Sequence, residues 1–277
     1  MPELPEVEAA RRQLSRWLIK GTLVEVRVKD DRVLRGASSR GLTRALEGRV
    51  VRAVERRGKW LRIALGDGSL LFSHLGMTGK WVLRARDAPH DASARVELDV
   101  VKAKKSYRVA YLDPRLFGRL VVARADIPEW LSLGPDPLRD GIDAPSLYAS
   151  LHVVRRTVKE ALLDQTLLAG VGNIHAIEAL WRARIDPRAR TDALTRGEVR
   201  ALARGLAGTL ADGVARYEGR EIRYVEEPGA PNPFAIYGRA GEPCPRCKRP
   251  LTRAVQGGRG TVFCAQCQRP RARLTAR

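Results

Sequence analysis

The first residues of the chain follow the spacing of an amphipathic helix. Val7, Ala10, Leu14 and Leu18 recur at intervals of three and four, which places them on one face of a helix. Pro5 suits the first turn, because the backbone N–H that proline lacks would have no partner there. The pattern predicts a helix that begins near Pro5 and buries one face.

The pattern changes between residues 21 and 124. Short segments alternate there between apolar and polar residues, and glycine, aspartate and proline separate them, as expected for strands that bury one face. Such a succession is typical of an antiparallel β-sandwich or barrel, so with the leading helix we predict one domain over residues 1–126. The predicted strands are 22–29, 49–57, 60–65, 69–74, 80–86, 95–101, 107–112 and 119–123.

The second half of the chain has a different organisation. Residues 127–145 are rich in proline, glycine and aspartate, which predicts a linker, and a helical domain is expected over residues 146–217. A proline- and glycine-rich loop at 218–241 then leads to a last domain at 242–277. Strands followed by helices predict the α+β class. The predicted helices are 146–163, 167–184 and 194–217.

The charge balance points to a partner. The 277 residues include 51 Lys and Arg against 31 Asp and Glu, a formal net charge of +20. So large an excess favours a polyanion, with nucleic acid preferred over an anionic membrane. No apolar run reaches the roughly 18 residues of a membrane-spanning helix, and the N-terminus lacks the apolar core of a signal peptide. We therefore expect a cytoplasmic protein that does not bind membranes, and a monomer.

The four cysteines of the chain form a metal-binding pattern near its C-terminus. Each C-x-x-C pair can supply two thiolates from one tight turn, and the sixteen residues between the pairs can form a β-hairpin. In a reducing compartment such a cluster binds metal far more often than it forms disulfides. The sequence therefore predicts one structural Zn²⁺, with four tetrahedral ligands. These ligands are Cys244, Cys247, Cys264 and Cys267.

A glycine-containing turn precedes Asn173. Gly170 and Gly172 interrupt the helical pattern there. Glycine lets the backbone approach a phosphate closely, and the exposed N–H groups at the start of the next helix favour an anion. Asn173 can cap that helix or donate to the phosphate. An ordinary corner between two helices has the same pattern, so the turn alone leaves both interpretations open.

Five motifs occur in an order typical of one family. They are MPELPEVE at the start, HLGMTG at 74–79, DPRLFG at 113–118, AGVGNIHAIEALW at 169–181 and the four-cysteine hairpin. With them the chain resembles the bacterial formamidopyrimidine-DNA glycosylases, relatives of endonuclease VIII, over essentially its whole length. The resemblance implies an N-terminal antiparallel β-sandwich, a helix–two-turn–helix domain and a zinc finger, with DNA crossing the cleft between the domains.

The resemblance also implies roles for individual residues. Pro2 would be the nucleophile, Glu3 its acid–base partner, and Lys59 the active-site lysine that contacts a phosphate near the lesion. Glu6 would assist them or only complement the dipole of the helix. The DNA contacts would be Met77, Arg115 and Phe117, which fill the gap left by a flipped nucleotide, Asn173 and Arg259, which hold flanking phosphates, and Lys159.

These residue types suit the excision of a damaged base. A base inside a duplex is out of reach, so the enzyme must turn it outward. The amine of Pro2 would then displace the base and form a Schiff base, after which the flanking phosphates are eliminated. An α-amine is a good nucleophile near pH 7, because its pKa of about 8 leaves a neutral fraction. The reaction requires removal of Met1, since the Pro2 nitrogen is otherwise an inert amide.

The sequence departs from the family pattern at two places. Family members often carry a second arginine where this chain has Leu116, and the predicted loop at 218–241 differs from the glycine-rich guanine-lesion loop. The expected substrates in double-stranded DNA are 8-oxoguanine and ring-opened formamidopyrimidines, with oxidised pyrimidines, as for endonuclease VIII, as the alternative. A DNA-binding zinc protein without catalysis is an interpretation of another class, and it would need no free amine at Pro2.

Overall fold

The computed structural model describes residues 2–218 and 221–269 of the chain. Met1, whose removal the amine mechanism requires, lies outside the described residues. Residues 219–220 of the predicted loop and residues 270–277 of the predicted last domain also lie outside them.

The described chain forms two compact units. The first contains the residues up to Ser132 together with Arg216–Ala230, and the second contains Leu133–Ala215 together with the residues from Pro231 onward. The first unit is rich in strands and the second in helices, which confirms the predicted α+β class. Among the described residues, no helix has both the length and the apolar character that crossing a membrane requires.

The first unit begins with helix α1, Leu4–Leu18. Its apolar face is buried as the sequence predicts, since Val7, Leu14 and Leu18 are each 1% exposed or less. The helix ends just before Lys20, which takes a left-handed conformation with φ of 67°. Because this face packs into the core, the residues at the start of the helix are held in a fixed place.

Two sheets form the sandwich of the first unit. Its strands are β1 (Thr22–Val28), β2 (Leu34–Arg35), β3 (Val51–Arg57), β4 (Trp60–Leu65), β5 (Leu70–His74), β6 (Lys80–Ala85), β7 (Ala94–Lys102), β8 (Lys105–Leu112) and β9 (Arg119–Ala123). One sheet has the order β1-β7-β8-β6 and the other β2-β9-β5-β4-β3. Their pairs are antiparallel except β2 with β9. Apolar side chains of both sheets and of α1 share one core, which confirms the predicted sandwich.

A short helix interrupts the strands where the sequence predicts none. This helix, α2, spans Ser39–Leu46. Ser38 caps it, because the Ser38 hydroxyl accepts the backbone N–H of Gly41 at 3.1 Å. Only Leu42 and Leu46 are buried in it. Two apolar positions in so short a helix do not establish a helical period, so the pattern does not reveal it.

The predicted linker is packed rather than extended. Its first part forms helix α3, Pro128–Leu131, in the first unit, where the Trp130 and Phe72 rings contact each other at 5.7 Å between centroids. Its second part belongs to the second unit, where the backbone N–H of Gly134 donates to the carbonyl of Gln165 at 2.9 Å. Hydrogen bonds and buried rings therefore fix most of this segment.

The helices that follow differ from the prediction at their boundaries. They are α4 (Ala144–Val154), α5 (Val158–Leu162), α6 (Asn173–Ala183) and α7 (Arg196–Arg216). The predicted helix at 146–163 is broken at Arg155, which has a φ of 42°. Thr157 then caps α5 by accepting the N–H of Glu160 at 3.4 Å. The helix predicted at 167–184 begins only after Gly172, since the preceding residues form the turn.

The predicted loop at 218–241 is also packed in its described part. Ile222 and Tyr224 are buried in the core of the first unit, and the Tyr224 hydroxyl donates to the carbonyl of Gly79 at 2.6 Å. Phe234 and Ile236 are buried in the second unit. The described residues of this segment form no helix or strand, and their buried apolar side chains anchor them.

The C-terminal hairpin matches the prediction. Strands β10 (Thr252–Gln256) and β11 (Arg259–Phe263) pair antiparallel between the two cysteine pairs. Gly257 and Gly258 join them with φ of 53° and 71°. A two-residue hairpin turn of type I′ requires positive φ at both central residues, which glycine adopts without strain.

Candidate active site and DNA-contacting residues

The N-terminal residues converge at the start of α1. Pro2 is buried and precedes the helix, and Glu3 is wholly buried at its N-cap position. The backbone N–H of Glu3 donates to Oε2 of Glu6 at 2.9 Å, as part of a capping box. The partial positive charge at the helix N-terminus therefore lies beside Pro2, and the two carboxylates lie within one helical turn of it.

Two tyrosines that sequence reasoning missed lie near Glu6. Burial raises the pKa of Tyr217, and the Glu6 carboxylate, with which Tyr217 forms a hydrogen bond, raises it further. Burial and Glu6 also raise the pKa of Tyr224. Both hydroxyls therefore remain protonated and can donate. No spacing marks these tyrosines, since more than 200 residues separate them from Glu6.

Lys59 lies in the two-residue turn between β3 and β4. Gly58 supplies the positive φ of 56° that this turn needs, and Trp60 begins the next strand. Trp60 pairs with His74 of β5, and their ring centroids are 5.0 Å apart. Burial and, to a smaller extent, the charges of Lys59 and Arg119 together lower the pKa of His74 to about 4. The charge of Lys59 therefore lies close enough to His74 to disfavour a charged imidazole.

The three residues expected to fill the gap lie on two adjoining loops. Met77 is in the turn between β5 and β6, while Arg115 and Phe117 are between β8 and β9. Phe117 is 47% exposed, and the guanidinium carbon of Arg115 lies 4.9 Å from the centre of its ring. The loops touch, because a Cβ on Gly76 would lie 2.4 Å from the backbone carbonyl of Phe117.

Leu116 points in a different direction from its neighbours. It has a φ of 59°, and its side chain packs against the core of the first unit while Arg115 and Phe117 are exposed. The left-handed conformation at this residue explains the difference, because it reverses the chain between two exposed residues. The departure from the family pattern at Leu116 therefore adds an apolar core contact.

In the second unit, Asn173 and the zinc hairpin meet. Asn173 is the first residue of α6, and its side-chain nitrogen donates to the carbonyl of Gly260 at 3.1 Å. Arg259, the preceding residue of β11, is exposed. The structure thus brings together the helix N-terminus and the arginine that the sequence predicts to hold phosphates, although they are remote in the chain.

The other end of α6 contacts the same finger. Arg246, between the first two cysteines, donates to the carbonyls of Trp181 and Arg182, the latter at 3.0 Å. Its guanidinium carbon lies 4.0 Å from the centre of the Trp181 ring. Carbonyls at a helix C-terminus have no partner within the helix, so a cation there is favourable. The finger is therefore fastened to both ends of α6.

Lys159 does not lie where a direct DNA contact would require. It is wholly buried in α5, and its Nζ donates to the hydroxyl of Thr261 in β11 at 2.6 Å. A buried ammonium needs such partners, because removal from water is costly. In this structure Lys159 is an internal link between α5 and the hairpin, so the predicted direct contact of Lys159 with DNA is corrected.

The four cysteines form one cluster. Their sulfur atoms all lie within 4.8 Å of one another, with 3.4 Å between Cys247 and Cys264 and 4.0 Å between Cys244 and Cys267. Four sulfurs about 2.3 Å from a tetrahedral zinc would be about 3.8 Å apart. The four sulfur donors and their spacing therefore fit a zinc ion whose four coordination positions are all filled by cysteines.

Family models match the chain along most of its length. The formamidopyrimidine-DNA glycosylase N-terminal domain matches residues 1–120, the formamidopyrimidine-DNA glycosylase H2TH domain matches 133–223, and the zinc finger found in FPG and IleRS matches 241–270. The formamidopyrimidine-DNA glycosylase of Thermus thermophilus is 43% identical over 279 residues, which cover 97% of this chain and 98% of that protein. The chain belongs to the formamidopyrimidine-DNA glycosylase family.

Other members of the family are also similar to this chain over nearly its whole length. The formamidopyrimidine-DNA glycosylase of Desulfitobacterium hafniense is 36% identical and covers 97% of this chain and 100% of its own length. A crystal structure of MutM (Fpg) from Thermus thermophilus has 40% identity and a TM-score of 0.80, covering 96% of this chain and 98% of that chain. Wild-type Lactococcus lactis Fpg in complex with N7-benzyl-Fapy-dG DNA has 31% identity and a TM-score of 0.86, covering 97% and 100%.

Membership of the glycosylase family decides between the two classes of function. As a member of this family, the protein is a DNA-binding enzyme of base excision repair, which acts on damaged bases. The alternative of a zinc protein without catalysis is therefore wrong. The family zinc finger and the four-cysteine cluster together confirm one structural zinc.

Glu178 is a structural residue of the glycosylase that sequence reasoning missed. Its carboxylate is buried in α6 and accepts the backbone N–H groups of Ala235, Ile236 and Tyr237 at 3.1, 2.9 and 2.9 Å. It thereby holds the segment that leads into the zinc finger. The signal was present, because Glu178 is the single carboxylate in the apolar motif at 169–181.

Proposed function

We propose that this enzyme is a bifunctional glycosylase and abasic-site lyase that removes oxidised purines through a Schiff base on the amine of Pro2. The observation that carries the proposal is the position of Pro2 at the positive end of α1, next to the wholly buried Glu3. A nucleophile needs a depressed amine pKa and a nearby proton carrier. The helix terminus and Glu3 are suited to these two tasks.

The reaction begins once Met1 has been removed. The neutral nitrogen of Pro2 attacks the anomeric carbon of the lesion nucleotide, and the bond between that carbon and the base breaks. The base leaves with a proton, for which Glu3 is the proposed source. The ring C–O bond of the sugar then breaks, the ring oxygen takes up a proton in place of the one that the Pro2 nitrogen loses, and the resulting iminium ion withdraws electrons from the neighbouring carbon. Successive β- and δ-elimination then release the phosphates on both sides, and hydrolysis of the iminium frees Pro2.

Lys59 is proposed to bind the phosphate next to the lesion. Its ammonium lies in a tight turn whose backbone is fixed by Gly58 and by the pairing of β3 with β4. The pKa of the neighbouring His74 is lowered to about 4, so near neutral pH its ring carries no charge that would repel Lys59. A phosphate held there would orient the sugar toward Pro2.

Met77, Arg115 and Phe117 are proposed to occupy the space that the flipped nucleotide leaves. An exposed aromatic ring and a flexible apolar side chain are suitable wedges between bases. Arg115 can donate hydrogen bonds to the partner base left behind. The packing of its guanidinium on the Phe117 ring limits its freedom before DNA arrives.

The second unit is proposed to hold the DNA backbone. Asn173, at the N-terminus of α6, and the exposed Arg259 would each contact a phosphate. Lys159 would support this surface from inside, through Thr261, rather than touch the DNA. The proposed partner is damaged double-stranded DNA, bound by a monomer in the bacterial cytoplasm, at the nucleoid.

The substrate class is tested on a set of matched duplexes. Each contains 8-oxoguanine, a formamidopyrimidine, an oxidised pyrimidine or an abasic site, and both base release and strand cleavage are measured. Faster excision of the two purine lesions, with products of β,δ-elimination, is expected. Preferential excision of the oxidised pyrimidine would favour the endonuclease VIII-like alternative. Base release without strand cleavage would contradict the lyase step.

A further inference from the structure

The two loops that carry Met77, Arg115 and Phe117 share one buried carboxylate, that of Asp113. Asp113 is wholly buried at the end of β8. Its Oδ1 accepts the hydroxyl of Thr78 at 2.6 Å, and its Oδ2 accepts the backbone N–H of Gly118 at 2.7 Å. Oδ1 therefore holds Thr78, which follows Met77, and Oδ2 holds Gly118, which follows Phe117.

The backbone of Asp113 is itself fixed from the strand side. Its N–H donates to the carbonyl of Ser93 at 2.9 Å, and its carbonyl accepts Nε of Arg95 at 2.9 Å. The same carbonyl accepts the N–H of Leu116 at 3.3 Å, which closes the turn that contains Arg115. Asp113 is thus a rigid anchor, and both loops are attached to it.

Close packing reinforces the attachment. A Cβ on Gly79 would lie 2.2 Å from the hydroxyl of Tyr111, and a Cβ on Gly118 would lie 1.7 Å from the same atom. The backbone of each loop therefore reaches Tyr111 only because glycine has no side chain at that point. Gly76 makes a similar approach to the Phe117 backbone. Both loops therefore pack closely against Tyr111 and, at Gly76, against each other.

We infer that the Asp113 bridge, made of Thr78, Asp113 and Gly118, makes the two loops act as one rigid wedge. The inference rests on the proposed function, because it assigns the bridge to the insertion step. Insertion of Met77 and Phe117 must coincide with the placement of Arg115 against the partner base. A wedge assembled in advance loses less conformational entropy on binding than two independent loops. Thr78 and Asp113 are therefore positioning residues.

The test compares Thr78→Val, which removes the hydroxyl at nearly constant volume, with Thr78→Ser, which keeps it. The matched control is Ser69→Ala, at the opposite end of β5. It removes another hydroxyl-to-carboxylate bond, from Ser69 to Asp67 at 3.1 Å.

Three quantities are measured for each variant. The first is lesion excision from duplexes with each of the four opposite bases. The second is base unstacking, followed with 2-aminopurine next to the lesion. The third is borohydride trapping on a single-stranded abasic oligonucleotide, which has no partner base and no gap to fill. Duplex excision and base unstacking depend on the wedge, whereas single-stranded trapping does not. A positioning defect should therefore affect only the first two measurements, and a general defect should affect all three.

Thr78→Val is expected to slow duplex excision and unstacking by about tenfold or more and to weaken discrimination among opposite bases, since a bond to a charged group is lost. Single-stranded trapping should stay within about twofold, and Thr78→Ser and Ser69→Ala should match the wild type. Equal loss of duplex and single-stranded activity, or duplex rates for Thr78→Val equal to those of Ser69→Ala, would overturn the inference. Absence of trapping by the wild type would instead overturn the proposed function, and this inference with it.

Discussion

The carboxylate of Glu6 accepts the backbone N–H of Glu3 at 2.9 Å, and this bond fixes the chain immediately after Pro2. The same carboxylate lies close to Tyr217, whose pKa it helps to raise. Glu6 therefore ties the N-terminal segment both to the first turn of α1 and to the segment after α7. We propose that Glu6 helps to place Pro2, beyond complementing the helix dipole.

Glu6→Ala should destabilise the protein more than Glu6→Gln does. Alanine removes the acceptor for the Glu3 N–H, whereas glutamine retains one. Loss of such a cap costs about 1 kcal/mol of the free energy of unfolding, and the buried site adds to this cost. Urea unfolding of both variants measures the difference. Equal destabilisation by alanine and glutamine would mean that charge, rather than the cap, is what the site requires.

Removal of the Lys59 charge should raise the pKa of His74. Burial contributes most to lowering that pKa to about 4, and Lys59 contributes next. Lys59→Met should therefore shift the imidazole titration upward, as measured by NMR on labelled histidine. Lys29→Met, which removes an exposed lysine of the same unit, is the control. An unchanged His74 titration in Lys59→Met would contradict the proximity of the two groups.

Glu8 should make part of the stability depend on pH in acid. Burial raises its pKa, but hydrogen bonds from Arg11, Arg56 and Arg12 outweigh this and lower it to about 2. Because the folded-state pKa lies below the ordinary 4.5, the contribution is present above pH 4.5 and is lost as the pH falls toward 2.

The Glu8 contribution is measured with Glu8→Gln. The difference in unfolding free energy between wild type and variant should be largest above pH 4.5 and should shrink below it. Asp30→Asn serves as a comparison, because Asp30 is a partly exposed carboxylate whose pKa is also lowered to about 2, by its hydrogen bond with Arg32. A difference for Glu8→Gln that is independent of pH would contradict the ionic account.

Loss of the zinc should weaken DNA binding without abolishing the chemistry of Pro2. Cys244→Ala removes one ligand, and the finger that holds Arg246 against α6 and Gly260 against Asn173 should unfold. Affinity for duplex DNA should fall about tenfold or more, since phosphate contacts are lost. Trapping on a single-stranded abasic oligonucleotide should persist, because Pro2 belongs to the other unit.

The zinc prediction is checked by metal content, DNA affinity and trapping. Wild-type protein that has been treated with a chelator and then resupplied with zinc is the control, and it should regain affinity. Duplex affinity that survives the loss of zinc would contradict a role for the finger in holding DNA.

Much of the fold follows from local pattern. Alternation predicted the strands because each buries one face, and the spacing of the cysteines predicted the zinc cluster because two tight turns supply all four ligands. Helix α2 and the break at Arg155 were not predicted, because two buried leucines or one left-handed residue leave no periodic signal in the sequence.

The features of the site that were not predicted from the sequence depend on contacts between residues that are far apart in the chain. Asp113 could be seen as part of a motif, but its two acceptor bonds appear only when Thr78 and Gly118 meet it. Lys159 was predicted to contact DNA, but it is buried and donates to Thr261, which lies in a strand 102 residues away. Tertiary packing decides such positions, and sequence spacing does not encode it.

The most direct test of the amine mechanism is borohydride reduction of the Met1-processed protein on a lesion-containing duplex, followed by peptide mapping of the covalent adduct. The adduct is expected to map to Pro2, and protein that retains Met1 is expected to form none. An adduct on Lys59, or no adduct despite tight binding and base release, would contradict the assignment of Pro2 as the nucleophile.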